Sequence, residues 1–305
     1  MTLAVTGGTG FVGSRVLALA DGPWQALTRR PREGVGWVTG DLADKGALAR
    51  MCEGARAVIH VAGVVNARDR AGFDAGNVAG TANVIAAAKA AGVRRFVHVS
   101  SLAAREPGLS DYGASKAGAD QLVRESGLDW VMVRPPAVHG PGDREMLPLF
   151  RLAAAGWGLA PGTEAGRAGR ISIIHVDDLA RALLALADTG PVAEVLELDD
   201  GQGDRGGYSH AEFASLAGAA AGRARVRTLT VPPGLLALAA GAATLAAKAM
   251  GGVPKLSRDR ARYMLHDDWV ARGGNARLAG VWAPRHVGLA GLAETVAGYR
   301  AKGWM

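Results

Sequence analysis

The chain has 305 residues, 49% of them apolar, enough to bury the core of one large domain or two coupled ones and too apolar for a disordered or fibrous protein. Its one cysteine, Cys52, cannot close an internal disulfide, and the start runs into an apolar strand rather than a charged leader and signal core, so a cytoplasmic protein is expected. The net charge of +7 leaves nucleic acid, an anionic membrane surface and anionic small molecules as candidate partners.

Residues Leu3 to Ser14, Leu-Ala-Val-Thr-Gly-Gly-Thr-Gly-Phe-Val-Gly-Ser, predict a short strand, a glycine turn and a helix opening at about Thr9, with an amphipathic stretch from Phe11 to Leu19. Backbone N–H groups and the positive end of that helix would face a pyrophosphate. Gly7, Gly10 and Gly13 would allow the turn, the approach of phosphates and close packing of helix on strand. Gly8, Gly10 and Gly13 also satisfy G-x-G-x-x-G, weak alone among 44 glycines and stronger between a strand and a helix. Gly7, Thr9, Gly10, Phe11 and Val12 head the expected cofactor-binding residues.

Strands follow at Trp24–Leu27 and Val35–Val38. Between them, Thr28-Arg29-Arg30-Pro31 stands where a dinucleotide fold selects its cofactor: an acidic residue would bond the free ribose hydroxyl, whereas arginine accommodates a 2′-phosphate. Arg29 and Arg30 favour NADP(H), against the plainer reading of two arginines on an exposed loop. Gly40-Asp41-Leu42 leads into a helix over Leu42–Cys52, and Asp41 either accepts a bond from an adenine amino group or caps that helix. The strand Ala57–Val61 leads to Ala62-Gly63, small enough for a ring or ribose to lie against the backbone, while His60 reads as a packing residue.

After a helix over Ala82–Ala91, the strand Phe96–Val99 ends in Ser100-Ser101. Tyr112-Gly-Ala-Ser-Lys116 places a phenol and an amine four residues apart, on one face of a helix that includes Ser115–Glu125. The ammonium there would lower the phenol pKa from about 10, letting it exchange a proton near neutrality. Ser101, at a strand end, would hold a substrate carbonyl. Strands Trp130–Val133, Ile171–Val176 and Val195–Leu198 complete an alternation that predicts an α/β fold, a Rossmann-like doubly wound parallel sheet with a smaller C-terminal substrate-binding domain. Residues 1–204 are assigned to the NADP(H)-binding domain, with an excursion over about 140–170 from which Ile171–Asp188 returns to the sheet, and 205–305 mainly to the substrate domain. No metal site is expected.

From Phe213 to Arg258 the only charged residues are basic: Arg223, Arg225, Arg227, Lys248, Lys255 and Arg258. Aromatic residues are not interleaved with them as base stacking would require, so no nucleic acid partner is expected. A solvated basic face weighs equally with an anionic partner. Val231–Met250 is nearly uncharged and of spanning length, but alanine and glycine dominate and Lys248 interrupts it. A buried helix is the first reading and an interfacial or lid helix the second. Beside basic charge, such a helix suits an amphiphilic substrate taken at the inner face of an anionic membrane, whereas the same charge would suit a nucleotide-sugar diphosphate.

These motifs, with Asn77, Gly80-Thr81, Asn83, Arg134-Pro-Pro-Ala-Val-His-Gly-Pro-Gly-Asp143 and Ile174-His-Val-Asp-Asp-Leu179, resemble the extended short-chain dehydrogenase/reductase family, also called the NAD-dependent epimerase/dehydratase family, over essentially the whole chain. The resemblance implies that Ser101, Tyr112 and Lys116 are the catalytic set. It adds Pro135, Ala137 and Val138 as lining of the nicotinamide pocket, and Asp41, Leu42, Val61, Ala62, Gly63, Asn77 and Val99 complete the expected cofactor contacts. A ketone held by Ser101 and Tyr112 would take hydride while Tyr112 donates the proton and Lys116 contacts the ribose and steadies the tyrosinate. Asn77 either relays the proton or caps a helix, with the structural role favoured.

Departures from the family pattern narrow the activity. Leu102 and Ala103 stand where nucleotide-sugar dehydratases place an acidic pair, and Arg29-Arg30 where sugar epimerases carry an acid. The short segment between Ser101 and Tyr112 looks like the lipid, steroid and flavonol ketone reductases. His139 replaces a more usual tyrosine. The expected function is NADPH-dependent reduction of a ketone on a hydrophobic, sphingolipid- or sterol-like small molecule by a monomer or homodimer. The alternatives are a nucleotide-sugar epimerase and a non-catalytic NADPH-binding subunit; Tyr112 with Lys116 counts against the latter.

Overall fold

The structure is a computed structural model that describes residues 2–162, 169–250, 252 and 256–305. Lys255 and the side chain of Lys248, two members of the basic stretch, lie outside the described residues. In chain order the elements are β1 (Thr2–Thr6), α1 (Phe11–Leu19), β2 (Trp24–Thr28), β3 (Trp37–Thr39), α2 (Lys45–Cys52), β4 (Ala55–His60), α3 (Arg70–Asp74), α4 (Gly80–Ala90), β5 (Arg95–Val99), α5 (Asp111–Arg124) and β6 (Asp129–Val133). There follow β7 (Ala137–His139), α6 (Leu147–Ala154), β8 (Trp157–Pro161), β9 (Arg170–Ile171), β10 (Ile173–His175), α7 (Val176–Asp188), β11 (Glu194–Leu196), β12 (Tyr208–Ser209) and α8 (His210–Ala220). The chain closes with β13 (Arg227–Val231), α9 (Pro233–Ala249), α10 (Arg258–Leu265), β14 (Asp268–Trp269), α11 (Gly274–Arg277) and α12 (Leu289–Ala301). Two compact units form: Met1–Arg134 with Leu179–Leu196 and Ala276–Ala283, and Pro135–Asp178 with Glu197–Asn275 and Pro284–Met305.

The first unit is built on a seven-stranded sheet in the order β3-β2-β1-β4-β5-β6-β11, with every pair parallel. Its strands are short apolar runs, as expected of a parallel sheet covered on both faces. Alternate residues point to opposite sides. Ala4, Val58, Phe96 and Met132 join Leu48, Met51, Val84 and Val123 of the helices in one core. The intervening Leu3, Val5, Ile59, Val97 and Val131 are equally buried. Strand order reverses between β1 and β4, and in such sheets the crevice for a ligand opens at the carboxyl ends of those strands.

Several boundaries differ from those expected, each for a local reason. The strand expected at Val35 begins at Trp37, because Gly34 and Gly36 adopt φ of +100° and +93° and Val35 is 98% exposed. The helix expected from Leu42 begins at Lys45, where Asp44 accepts the Ala47 N–H. The helix expected to include Ser115–Glu125 begins at Asp111, capped by Ser110 through the Gly113 N–H at 2.9 Å. The strand expected over Ile171–Val176 does not return to the large sheet: it divides into β9 and β10, whose sheets lie in the second unit, and β11 is the seventh strand.

In the second unit β7 pairs with β10, β8 with β13, and β9 lies between β12 and β14. Phe150 of α6, Phe213 of α8 and Leu292, Val296 and Tyr299 of α12 share one core. Leu236 and Ala240 of α9 form a separate, smaller one with Ala261 and Leu265 of α10. Two buried carboxylates fasten this unit. Asp200 accepts the Tyr208 hydroxyl at 2.6 Å and the Gly288 N–H at 3.0 Å. Asp143 accepts the Tyr299 hydroxyl at 2.9 Å.

Candidate active site

The glycine turn after β1 is fixed by clearance. Gly7 has φ of +74°, and a Cβ there would lie 2.8 Å from the Ala62 nitrogen; one on Gly13 would lie 2.1 Å from the Gly7 oxygen. Side chains at these positions would push β1 from the segment after β4 and lift α1 off the turn. Gly10 caps α1, which opens at Phe11 rather than Thr9, and its N–H bonds the Gly7 carbonyl at 2.9 Å. Thr9 and Gly10 are exposed, and Phe11 and Val12 half-buried in the first turn of α1, where N–H groups lack partners within the helix.

The segment Val61-Ala62-Gly63 is held from below by a chain of polar groups. The Ala62 N–H donates to Thr6 Oγ1 at 3.1 Å, and the Thr6 hydroxyl bonds His60 Nδ1 at 2.7 Å. His60 Nε2 meets Thr81 Oγ1 at 2.9 Å, and the Thr81 hydroxyl donates to the Asn77 carbonyl at 2.6 Å. Because Thr81 spends its proton on Asn77, His60 must donate from Nε2 and accept at Nδ1. Burial, with His98 and Lys116 nearby, holds this imidazole well below its usual pKa and therefore neutral. His60 is the expected packing residue and also carries this relay.

Asn77 sits in a single π turn, Ala75–Ala79, between α3 and α4. Its Oδ1 accepts the Val64 N–H at 2.7 Å, and its Nδ2 donates to the Val64 carbonyl at 3.0 Å and Ser115 Oγ at 2.9 Å. The side chain thus ties the loop after β4 to α5. Gly80 and Asn83 act on Leu42: a Cβ on Gly80 would meet Leu42 Cδ1 at 2.7 Å, and Asn83 donates to the Leu42 carbonyl at 2.8 Å. Asp41 caps the turn ahead of α2 rather than the helix itself, with Oδ1 accepting from the Ala43 N–H at 2.8 Å and the Asp44 N–H at 3.1 Å.

Ser101, Tyr112 and Lys116 come together beyond the end of β5. Ser101 caps the short turn Leu102–Arg105 through the Ala103 N–H and shares a hydrogen bond with the Tyr112 side chain. Lys116 is buried, and its Nζ donates to the Val99 carbonyl at 2.7 Å. A Cβ on Gly63 would lie 3.8 Å from that nitrogen and 3.1 Å from Asn77 Oδ1, so the bare Gly63 backbone borders both groups. Among the described residues the two remaining N–H groups of Lys116 have no acceptor.

The electrostatics differ from the expected lowering of the phenol by the amine. Burial raises the Tyr112 phenol above its usual value, the Ser101 hydrogen bond opposes this, and the Asp120 charge adds to it. Burial also lowers Lys116 to about 8, with Asp120 opposing. Tyr112 therefore stays protonated at neutral pH, because desolvation outweighs the Ser101 hydrogen bond.

Asp120, one turn beyond Lys116 on α5, is fully buried and received no attention in the sequence. Arg134 donates to its Oδ2 through two nitrogens, at 2.8 and 3.2 Å, and His98 Nε2 stands 3.4 Å from Oδ1. Burial would raise its carboxyl, but the His98, Ser100 and Arg134 side chains beside it hold it at about 2. The available signal was its four-residue spacing from Lys116, together with the arginine ending β6.

Arg29 and Arg30 are exposed just after β2, where the Thr28 hydroxyl holds the Arg30 carbonyl at 2.8 Å. Nearby, Gly8, Thr9, Ser14, Trp24, Arg32 and Trp37 line a cleft of about 330 Å³. The Arg32 guanidinium lies 4.9 Å above the Trp37 ring. Arg32 was missed in the sequence, although it continues the Arg-Arg-Pro run into this cleft. The clearances at Gly7, Gly13 and Gly63, the exposed helix start and the uncommitted Lys116 donors fit a bound dinucleotide.

Pro135, Ala137 and Val138 belong to the second unit, where Ala137 and Val138 pair with Ile173 and Ile174. His139 follows on β7. Thr295 donates to the Gly291 carbonyl at 3.0 Å, so His139 Nδ1 donates to Thr295 Oγ1 at 2.8 Å. Burial, with His175 and His286 nearby, lowers His139 to about 3, making it a neutral strut. In the His175-Val-Asp-Asp178 motif, Asp178 accepts the N–H groups of Arg285 and His286, anchoring the segment ahead of α12.

Residues 3–198 match the NAD dependent epimerase/dehydratase family. The chain belongs to this family. It is 41% identical, over 99% of its length and 96% of the relative's, to the ceramide reductase of Caulobacter vibrioides. It is 31% identical to the 4-hydroxy-2-methyl-3-oxo-4-farnesyl-3,4-dihydroquinoline-1-oxide ketoreductase of Stigmatella aurantiaca, over 66% of this chain and 69% of that one. Among solved structures, the NAD-bound dTDP-glucose 4,6-dehydratase double mutant of Streptomyces venezuelae superimposes with a TM-score of 0.70 at 24% identity, covering 100% of this chain and 98% of that one. The Rossmann-like fold is thereby established, and the chain is an NAD(P)-dependent oxidoreductase.

Proposed function

We propose that the protein is an NADPH-dependent reductase of a ketone on a hydrophobic, lipid-like molecule of the sphingolipid or sterol kind. The observation that carries this reading is the hydrogen bond between the Ser101 and Tyr112 side chains, with the phenol held protonated, and Lys116 one helical turn beyond Tyr112, its Nζ on the Val99 carbonyl and bordering Gly63. The reduced nicotinamide supplies hydride when bound. The Ser101 and Tyr112 hydroxyls hold the carbonyl oxygen. Tyr112 gives its proton to that oxygen as the alkoxide forms, leaving a tyrosinate whose charge the Lys116 ammonium offsets. The tyrosinate must then recover a proton before the next turnover. The reverse direction oxidises the alcohol by the same groups.

Arg29, Arg30 and Arg32, gathered after β2, support the phosphorylated cofactor. The name of the 41% identical relative supports a ceramide-like substrate. Leu102 and Ala103 leave dehydration without its acidic pair. Asn77, committed to Val64 and Ser115, is assigned to holding the site together.

The test is turnover of a keto-sphingolipid with NADPH. Tyr112→Phe should lower the rate by roughly 10²–10⁴-fold with an unchanged melting transition. Undiminished turnover by that variant would overturn the catalytic assignment. Cells lacking the protein should accumulate a keto lipid, and an unaltered lipid extract would remove the proposed substrate class.

A further inference from the structure

α9 is turned inside out for a helix on a protein surface. Leu236, Ala240 and Ala247 are buried, yet the outward positions Leu235, Leu238, Ala242, Leu245 and Ala249 are also apolar, at i, i+3, i+7, i+10 and i+14. Leu235, Leu238 and Leu245 are 56%, 72% and 71% exposed. A surface helix ordinarily carries polar residues there. The strand feeding this helix repeats the pattern. Leu229 of β13 pairs in register with Leu159 of β8, and Trp157, two residues earlier on β8, is exposed beside Arg227.

Four arginines flank this apolar surface. Arg223, Arg225 and Arg227 are exposed on and ahead of β13, and the exposed Arg258 sets its guanidinium 3.6 Å from where a Gly241 Cβ would stand, midway along α9. Among the described residues, none of the four is paired with a carboxylate. A two-fold contact between copies of the chain through this face would set arginine against arginine. An anionic lipid surface instead offers negative charge to the arginines and an acyl boundary to the leucines and tryptophan. No helix among the described residues is long and apolar enough to cross a membrane. At 17 residues, about 25 Å, α9 has the length to lie in the interface.

We infer that the outward face of α9, with Trp157, Leu159 and Leu229 of the β8–β13 pair, docks the enzyme on an anionic membrane surface. The inference rests on the lipid-substrate reading only for its biological purpose, and its test requires no turnover.

The purified full chain, without cofactor or substrate, is sedimented with vesicles of phosphatidylcholine alone or mixed with phosphatidylglycerol. Binding should appear on the mixed vesicles and weaken as salt is raised. Leu238→Asp with Leu245→Asp should reduce binding at least about tenfold while the melting transition holds, since both side chains are exposed. Val35→Asp, on the exposed loop of the first unit, should bind as the parent does. Equal binding to neutral vesicles, undiminished binding by the double variant, or a dimer in light scattering that the double variant abolishes would each overturn the inference. Loss of turnover with binding intact would count against the reductase reading alone.

Discussion

Lys116 and Asp120, one helical turn apart on α5, are perturbed in different ways, and each makes a distinct prediction. Lys116 holds its proton only up to about pH 8, so the ammonium proposed to steady the tyrosinate is present below that pH and lost above it. kcat/KM for reduction should therefore fall above about pH 8, and a flat profile through about pH 9.5 would remove Lys116 from that role. Stability should move the other way: an unfolded lysine keeps its proton to about pH 10, so this group makes folding more favourable as pH rises through that window. Asp120 is depressed to about 2, so its contribution is complete at neutral pH and is lost as pH falls from about 4 through 2. Asp120→Ala leaves the Arg134 guanidinium, 13% exposed, without its carboxylate. A loss of about 3–5 kcal/mol is expected in urea unfolding, and a loss below about 1 kcal/mol would show that water replaces the pair.

At the scale of elements, the candidate site draws on segments beyond strand ends: the turn after β1, the loop after β2, Val61–Gly63 after β4 and the Ser101 turn after β5. The sheet fixes where these segments start, and side-chain bonds from Thr6 and Asn77 hold the segment after β4, as Ser101 holds its own turn. The arginines after β2 give the prediction proper to this scale. Arg29→Glu with Arg30→Glu should erase a preference for NADPH over NADH of roughly tenfold to a hundredfold, the range set by one or two charged hydrogen bonds. Equal affinity of the parent for both cofactors would refute the 2′-phosphate assignment. Arg32→Ala should weaken NADPH binding as well if the cleft beside Thr9 takes part.

For the whole molecule, a ligand that binds only the folded state stabilises it by mass action, about 2.7 kcal/mol at a hundred times its Kd. NADPH should raise the melting temperature more than NADH does at equal concentration, and equal shifts would contradict the cofactor choice without touching the fold.

The glycine spacing, the strand–helix alternation and the Ser101, Tyr112 and Lys116 residues were legible in the chain because each depends on local chemistry: backbone clearance, side-chain period and helical spacing. The sequence by itself therefore determined the class of fold and the family of chemistry. Only the tertiary structure decided that burial, rather than a neighbouring amine, sets the Tyr112 phenol, that Asp120 ties α5 to the end of β6, and that the strand expected over Ile171–Val176 leaves the large sheet. Desolvation and strand pairing depend on residues far apart in the chain, and no local pattern encodes their distances.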